Sequence, residues 1–326
     1  MDQDGLITRI ARELAQGEAL DGLARRLAPS DLHSLLLYVF RERSARRTPA
    51  ELLAQYVRSP AVRSSDVEPR VLLEIERMAF ESAAQFEALE LAPVAPLGLN
   101  RVLGHIDQNN CLATVRGTEV LADPTTLAAL ECARRRQAGE TGVIRLCSRS
   151  RLPRLQPLTS PEFRPHFGLF SLVSAGRDRG SFDFEIEHLH EHLAVHLRLL
   201  EKLKACGAPI AQVEVAIADT ARDQRRLQRA SSEVLPALAS AFTGVELRID
   251  PSREHGRNYY TGLCLCIDVS TTDGRRMNLA DGGFTDWTQR LLSNRKERLL
   301  VSAIGIEIVA RCMRPTGLAV STIRGA

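Results

Sequence analysis

"GRNYYTGLCLCIDV" (256–269), followed after a turn by "LADGGFTDW" (279–287), is the stretch from which the fold of this chain is read. It places Tyr259 and Tyr260 side by side between Gly256 and Gly262, at the mouth of a run in which Leu263, Leu265 and Ile267 alternate with Cys264 and Cys266. Alternation with period two puts the aliphatic residues on one face of a strand and the two cysteines on the other. A core strand has no need of two glycines and a polar Asn258 around a tyrosine pair, yet one ring can pack inward while a neighbouring hydroxyl reaches a polar partner. On residue chemistry alone, core and ligand contact both stay open. Gly282 and Gly283, flanked by Asp281 and Asp286, mark a place where backbone must come close to something, or a plain turn.

Outward from this pair, "LLVSAIGIEIVARCM" (299–313) reads as a strand passing into a helix. Upstream, "AQVEVAIAD" and "GVELRID" alternate as strands around a short helical region at 221–241, and a long helix over about 182–205 turns Ile186, Leu189, Leu193, Leu197 and Leu200 inward. "GVIRLCSRS" and "HFGLFSLVSAG" are strand-like, preceded by a helix at 124–137. "FEALELAPVAPL" is a strand interrupted by Pro93 and Pro96, which places it at an edge or an interface. A helix from Val67 to Phe86 precedes it, with Val71, Leu72, Ile75, Met78 and Ala79 on one face. Strands arrive in consecutive, antiparallel-looking pairs with helices between, so the expected class is α+β, a mostly antiparallel sheet flanked by helices.

Residues 1–64 read as a small helical region and 65–326 as the main domain, with "RSPAVRSSDVEP" (58–69) as the linker. Ile7, Ile10 and Leu14 form one apolar stripe, "SDLHSLLLYVF" reads as a more fully buried helix, and "TPAELLAQYV" opens with a capping box of Thr48 and Glu51 around Pro49. The chain has 326 residues, 44% hydrophobic and 25% charged, enough for one large domain and a smaller one. A net charge of +3 gives no strong basic field that would by itself predict nucleic-acid binding. No apolar run reaches the roughly 18 residues of a membrane span and no signal-peptide pattern opens the chain, so a soluble, cytoplasmic protein is expected. Seven cysteines without a C-x-x-C pair read as reduced thiols, mostly buried. His188, His192 and His196 recur every four residues on one helix face; without H-E-x-x-H or a third-ligand motif they read as a solvated face rather than a metal site.

The order of the pieces carries a resemblance. "GRNYYTGLCLCIDV", "LADGGFTDW" and "AIGIEIV" resemble the G-L-D-Y-Y-T-G, G-G-R-Y-D and G-x-G-L-E-R segments of the histidyl-tRNA synthetase catalytic core. Upstream, "FEALELAPV" resembles the first motif of class II aminoacyl-tRNA synthetases, "LADPTTLAALECA" the L-R-P-E-x-T-A segment, "IRLCSRSRLPRLQP" the second motif, and "SFDFEIEHL" the D-A-E-V-I helix start at Asp183. The similarity covers about residues 67–313 and implies a class II synthetase-like core, dimeric through the first motif, with Tyr259 and Tyr260 lining a pocket.

Carried over residue by residue, the resemblance implies a ligand shell of Asp123, Thr126, Arg154, Gln156, Ser171, His255, Tyr259, Tyr260, Gly282, Gly283 and Asp286. Arg154 falls on the arginine that holds the substrate carboxylate and the ATP α-phosphate, and Glu307 also matches. The departures concern phosphate handling. The catalytic arginine becomes His255, the third-motif arginine Ile308, the G-G-R-Y-D arginine Phe284, and the second-motif glutamate Gln156. The amino-group reader becomes Pro124 with Asp123 one place earlier, and the G-V-E glutamate becomes Ser171. Only "PTGLAVSTIRGA" follows Arg314, so no anticodon-binding domain is expected in this stretch. The resemblance therefore implies a small-ligand-binding, regulatory or assembly paralogue, in the manner of the regulatory subunit of ATP phosphoribosyltransferase. Its expected partners are a second copy and a small molecule, with a protein partner also open; tRNA is not expected. The alternative is an adenylate-forming enzyme with a non-tRNA acceptor, the one reading under which ATP and magnesium enter, with Arg151, Arg164 and Arg257 as substitute cations.

Overall fold

The computed structural model describes residues 20–157, 163–221, 223–254, 256 and 258–317. The stripe read over Ile7, Ile10 and Leu14, together with His255 and Arg257, lies outside them. The chain divides into two compact units, residues 1–59 with 113–118, and residues 60–112 with 119–326.

The first unit holds α1 (Pro29–Ser44) and α2 (Pro49–Arg58). The Thr48 side chain accepts the Glu51 amide and the Glu51 carboxylate accepts the Thr48 amide, the capping box read from the sequence. The expectation of a fully buried helix over "SDLHSLLLYVF" is corrected: neither helix buries a side chain, and Phe40 and Leu53 are 57% and 64% exposed. Leu35, Leu36, Leu37, Tyr38, Val39 and Phe40 are consecutive in α1, so their side chains point all around the helix rather than to one face.

In the second unit, α3 (Pro69–Ser82) begins on Pro69 and buries Val71, Ile75, Met78 and Ala79. After it come β1 (Glu87–Ala88), β2 (Val94–Pro96), α4 (Leu99–Val102), β3 (Thr118–Val120) and α5 (Pro124–Gln137). Next are β4 (Ile144–Pro153), β5 (His166–Arg177), α6 (Asp183–Ala205) and β6 (Ile210–Asp219). The remainder is α7 (Gln224–Arg229), α8 (Leu235–Ala241), β7 (Val245–Ile249), β8 (Leu263–Thr271), β9 (Arg276–Thr285), α9 (Trp287–Leu292), β10 (Glu297–Ile304) and α10 (Ile306–Cys312). Among the described residues eight strands form one sheet in the order β1-β4-β5-β10-β9-β8-β6-β7. Its interior pairs are antiparallel, while β1 joins β4 and β7 joins β6 in parallel. The pairing expected of "AQVEVAIAD" and "GVELRID" is thus corrected: the intervening helices form a crossover, which a parallel neighbour requires. The proline-interrupted segment supplies the two residues of β1, at the edge of the large sheet, and β2, which pairs with β3 in a separate two-stranded sheet.

The two faces of the sheet carry separate cores. On one, α3, α6 and α10 cover Phe170, Leu172, Leu265, Ile267, Leu300 and Ile304; on the other, α5 and α9 cover Leu146, Val173, Cys264 and Val301. The histidine reading is corrected here. His188, His192 and His196 are fully buried on α6 against the first face, where the Ser302 hydroxyl lies 2.8 Å from both His192 Nδ1 and His196 Nε2, and Ser174 Oγ lies 3.0 Å from His192 Nε2. Ser174 on β5 and Ser302 on β10 give His192 and His196 polar partners inside the core, and His188 Nδ1 meets the Glu191 carboxylate at 2.8 Å, while His188 Nε2 and His196 Nδ1 make no hydrogen bond to the protein. Among the described residues no helix is long and apolar enough to cross a membrane, and no group of three His, Cys, Asp or Glu side chains is arranged to hold a metal ion.

Candidate functional site

The second sheet face is where the tyrosine pair sits. The Tyr259 and Tyr260 amides both donate to the Gly256 carbonyl, and the Tyr260 ring lies against Gly283 of β9. Gly256 has φ +81°, and a Cβ there would meet the Tyr260 ring at 2.8 Å; a Cβ on Gly283 would meet the same ring at 2.7 Å. Backbone does come close to something at this glycine, and that something is Tyr260. The pair reads T-shaped, with ring centroids 4.9 Å apart, and Tyr259 stands 5.1 Å from the buried Trp287 ring.

Each hydroxyl ends on a carboxylate. Tyr259 donates to Asp123 Oδ2 and Tyr260 to Asp281 Oδ1, both at 2.6 Å. Asp123 is the N-cap of α5, its other oxygen accepting the Thr125 amide at 3.0 Å and the Thr125 hydroxyl at 2.7 Å, so the helix start fixes it. Asp281 Oδ2 accepts from Arg253 Nη2 at 2.7 Å. Burial first, and then the adjacent aspartates, hold both phenols well above the usual tyrosine range, so both stay neutral donors. Arg154 donates to the Ala122 carbonyl at 3.0 Å and stacks on Phe167 at 5.5 Å, with its buried Nε making no hydrogen bond to the protein. Its charge acts on Tyr259 against that of Asp123. The same sheet face carries small side chains further along: Ala303 beside Asp281 in register, then Ser171 and Ser148, whose hydroxyls lie 2.8 Å apart.

The other residues of the implied shell have distinct placements. Thr126 is fully buried and donates to the Asp123 carbonyl, inside the same helix start. Gln156 is exposed beyond the end of β4. Gly282 faces the opposite side of the sheet, where a Cβ would meet Ser302 at 2.4 Å, because register alternates about Gly283. Asp286 is the N-cap residue of α9, 3.7 Å from Arg290. His255 lies outside the described residues.

Two of the positions to which the resemblance would assign phosphate-binding arginines carry apolar side chains. Phe284 is packed in the core on the α6 side and Ile308 packs against that core. Of the three expected substitute cations, Arg151 binds the buried Glu307 at 2.9 Å and Arg164 binds Asp66 at 2.9 Å, and Arg257 lies outside the described residues. Cys266 shares the strand face of Cys264, and burial pushes both thiols up to about 12, out of reach of thiolate chemistry near neutral pH. Arg253 and Trp287 were not marked by sequence reasoning. Nothing local to "SREHGR" says that Arg253 reaches back to β9, whereas the two-residue spacing of Asp281 and Gly283 does put that acid on the tyrosine face.

No family model matches the chain, and no curated protein matches it in sequence. Solved structures do share its fold. An ATP phosphoribosyltransferase regulatory subunit/histidyl-tRNA synthetase from Bacillus halodurans superposes with a TM-score of 0.58 at 12% identity, over 76% of this chain and 81% of that one. Apo histidyl-tRNA synthetase from S. aureus gives 0.57 at 14%, over 79% and 70%. Histidyl-tRNA synthetase from Nostoc sp. PCC 7120 gives 0.58 at 13%, over 78% and 74%. The fold is that of a class II aminoacyl-tRNA synthetase core, and the likeness in fold is to histidyl-tRNA synthetase catalytic cores.

Proposed function

We propose that the chain binds a small metabolite carrying a carboxylate and an amino group on the tyrosine face, and acts as a regulatory or assembly protein rather than as a tRNA ligase. The observation that carries this reading is the Asp123–Tyr259 pair beside Arg154. A guanidinium matches a ligand carboxylate, while a buried aspartate and a phenol oxygen match an ammonium group. The apolar packing of Phe284 and Ile308 supports a site that does not handle a triphosphate. The regulatory role named for the Bacillus halodurans protein is the kind of role we assign. We also propose a homodimer through the segment at 86–94; Val94, 39% exposed, is an apolar side chain such an interface would cover.

The reading is tested by calorimetric titration of the purified protein with individual amino acids and related zwitterions. One of them should bind saturably, and Asp123→Asn and Arg154→Gln should each weaken it at least tenfold, the worth of about 1.4 kcal/mol. Binding that survives both substitutions overturns the assignment.

A further inference from the structure

The first unit carries a surface that the tyrosine face does not use. Among the described residues eighteen large apolar side chains are exposed, and ten of them lie between Leu27 and Val57. So many in so short a stretch are one feature of the chain, unlike the scattered apolar surface of any soluble protein. On α2 they form a stripe: Leu52, Leu53, Tyr56 and Val57 share one helix face, opposite Glu51, Gln55 and Arg58. On α1 the apolar run is Leu35 to Phe40. Two of the chain's four tyrosines are here, Tyr38 and Tyr56, 55% and 45% exposed.

The charge of the same unit selects what can cover this surface. Its described residues hold eight arginines against Asp21, Asp31, Glu42 and Glu51, a surplus of four positive charges in a chain whose net charge is +3. Arg43 and Arg46 follow directly on the apolar run, and the Arg41 guanidinium lies over the Tyr38 ring, 5.4 Å from its centroid. A second copy would set one positive surplus against another. A partner helix needs a groove with a buried apolar floor, and neither α1 nor α2 buries a side chain. An anionic lipid surface meets both demands. Arginines pair with its headgroup phosphates, leucine and phenylalanine enter the acyl boundary, and tyrosines settle at headgroup level.

We propose that α1 and α2 are a peripheral membrane anchor, lying in the interface of an anionic bilayer with their apolar side chains in the acyl boundary. Apolar area supplies the depth of binding, and the arginines supply the preference for anionic headgroups. The test is co-sedimentation of the full chain with vesicles of phosphatidylcholine alone and of phosphatidylcholine mixed with phosphatidylglycerol. Partition should be at least tenfold greater onto the mixed vesicles and should fall as salt is raised. Phe40→Ser with Leu53→Ser, which leaves the charge unchanged, should lower it at least tenfold. Arg43→Gln with Arg46→Gln should remove most of the preference for the mixed vesicles. All four side chains lie outside both cores, so each variant should melt with the native protein. Equal partition onto the two kinds of vesicle, binding that survives Phe40→Ser with Leu53→Ser, or no binding at all overturns the proposal. Absence of lipid binding together with a smaller particle mass in Phe40→Ser, Leu53→Ser protein would assign the surface to a second copy instead; absence of lipid binding at unchanged mass would assign it to an acidic protein.

Discussion

Gly283 shows how far single residues set the tyrosine site. A methyl group there would lie 2.7 Å from the Tyr260 ring, which is itself wedged against Gly256. Gly283→Ala should cost about 1–3 kcal/mol in urea unfolding through overpacking, and should abolish ligand binding by tilting both rings. Asp123 serves two structures at once, the start of α5 and the Tyr259 hydroxyl. Asp123→Ala should accordingly cost more stability than Tyr259→Phe, since it removes a helix cap worth about 1 kcal/mol as well as the acceptor. Equal losses in the two variants would mean that the cap carries nothing.

At the scale of elements, α6 carries the pH response. Burial, with a smaller contribution from His196, His188 and Arg145, holds His192 well below the usual imidazole range, and burial lowers His196 to about 3. Both rings are neutral in the folded protein where unfolded imidazoles take up protons. Their contribution to stability is therefore intact above about pH 6.5 and is lost as pH falls below it towards the folded values. Each ring should cost about 1.4 kcal/mol per pH unit below that point. Unfolding free energies at pH 7.5 and 5.5 should differ by about 1–3 kcal/mol, and His196→Gln should shrink the difference; a flat profile would contradict neutral burial. This element also marks a limit of sequence reading. The i, i+4 histidine spacing was legible, but their burial depends on Ser174 and Ser302 arriving at the same depth from distant strands, which no local pattern records. The α3, α5 and α6 helices and strands β8 and β9 were legible because each carries its own apolar periodicity. The parallel placement of β7 and the reach of Arg253 to Asp281 were not, because both are set by chain path.

At the scale of the whole molecule, the second unit holds both cores and the tyrosine site, whereas α1 and α2 bury nothing. A chain beginning at residue 60 should keep its far-ultraviolet spectrum per residue and melt within a few degrees of the full chain, since about 1 kcal/mol shifts a domain of this size by only a few degrees. A collapse of the melting transition would show that the core needs those helices. The central claim is that this fold has kept a small-molecule site without the handling of a triphosphate. It is tested most directly by pyrophosphate exchange with ATP-magnesium, run beside calorimetric titration with each amino acid. The account predicts saturable binding of one zwitterion and no exchange with any; amino-acid-dependent exchange would contradict it and make the chain an adenylate-forming enzyme.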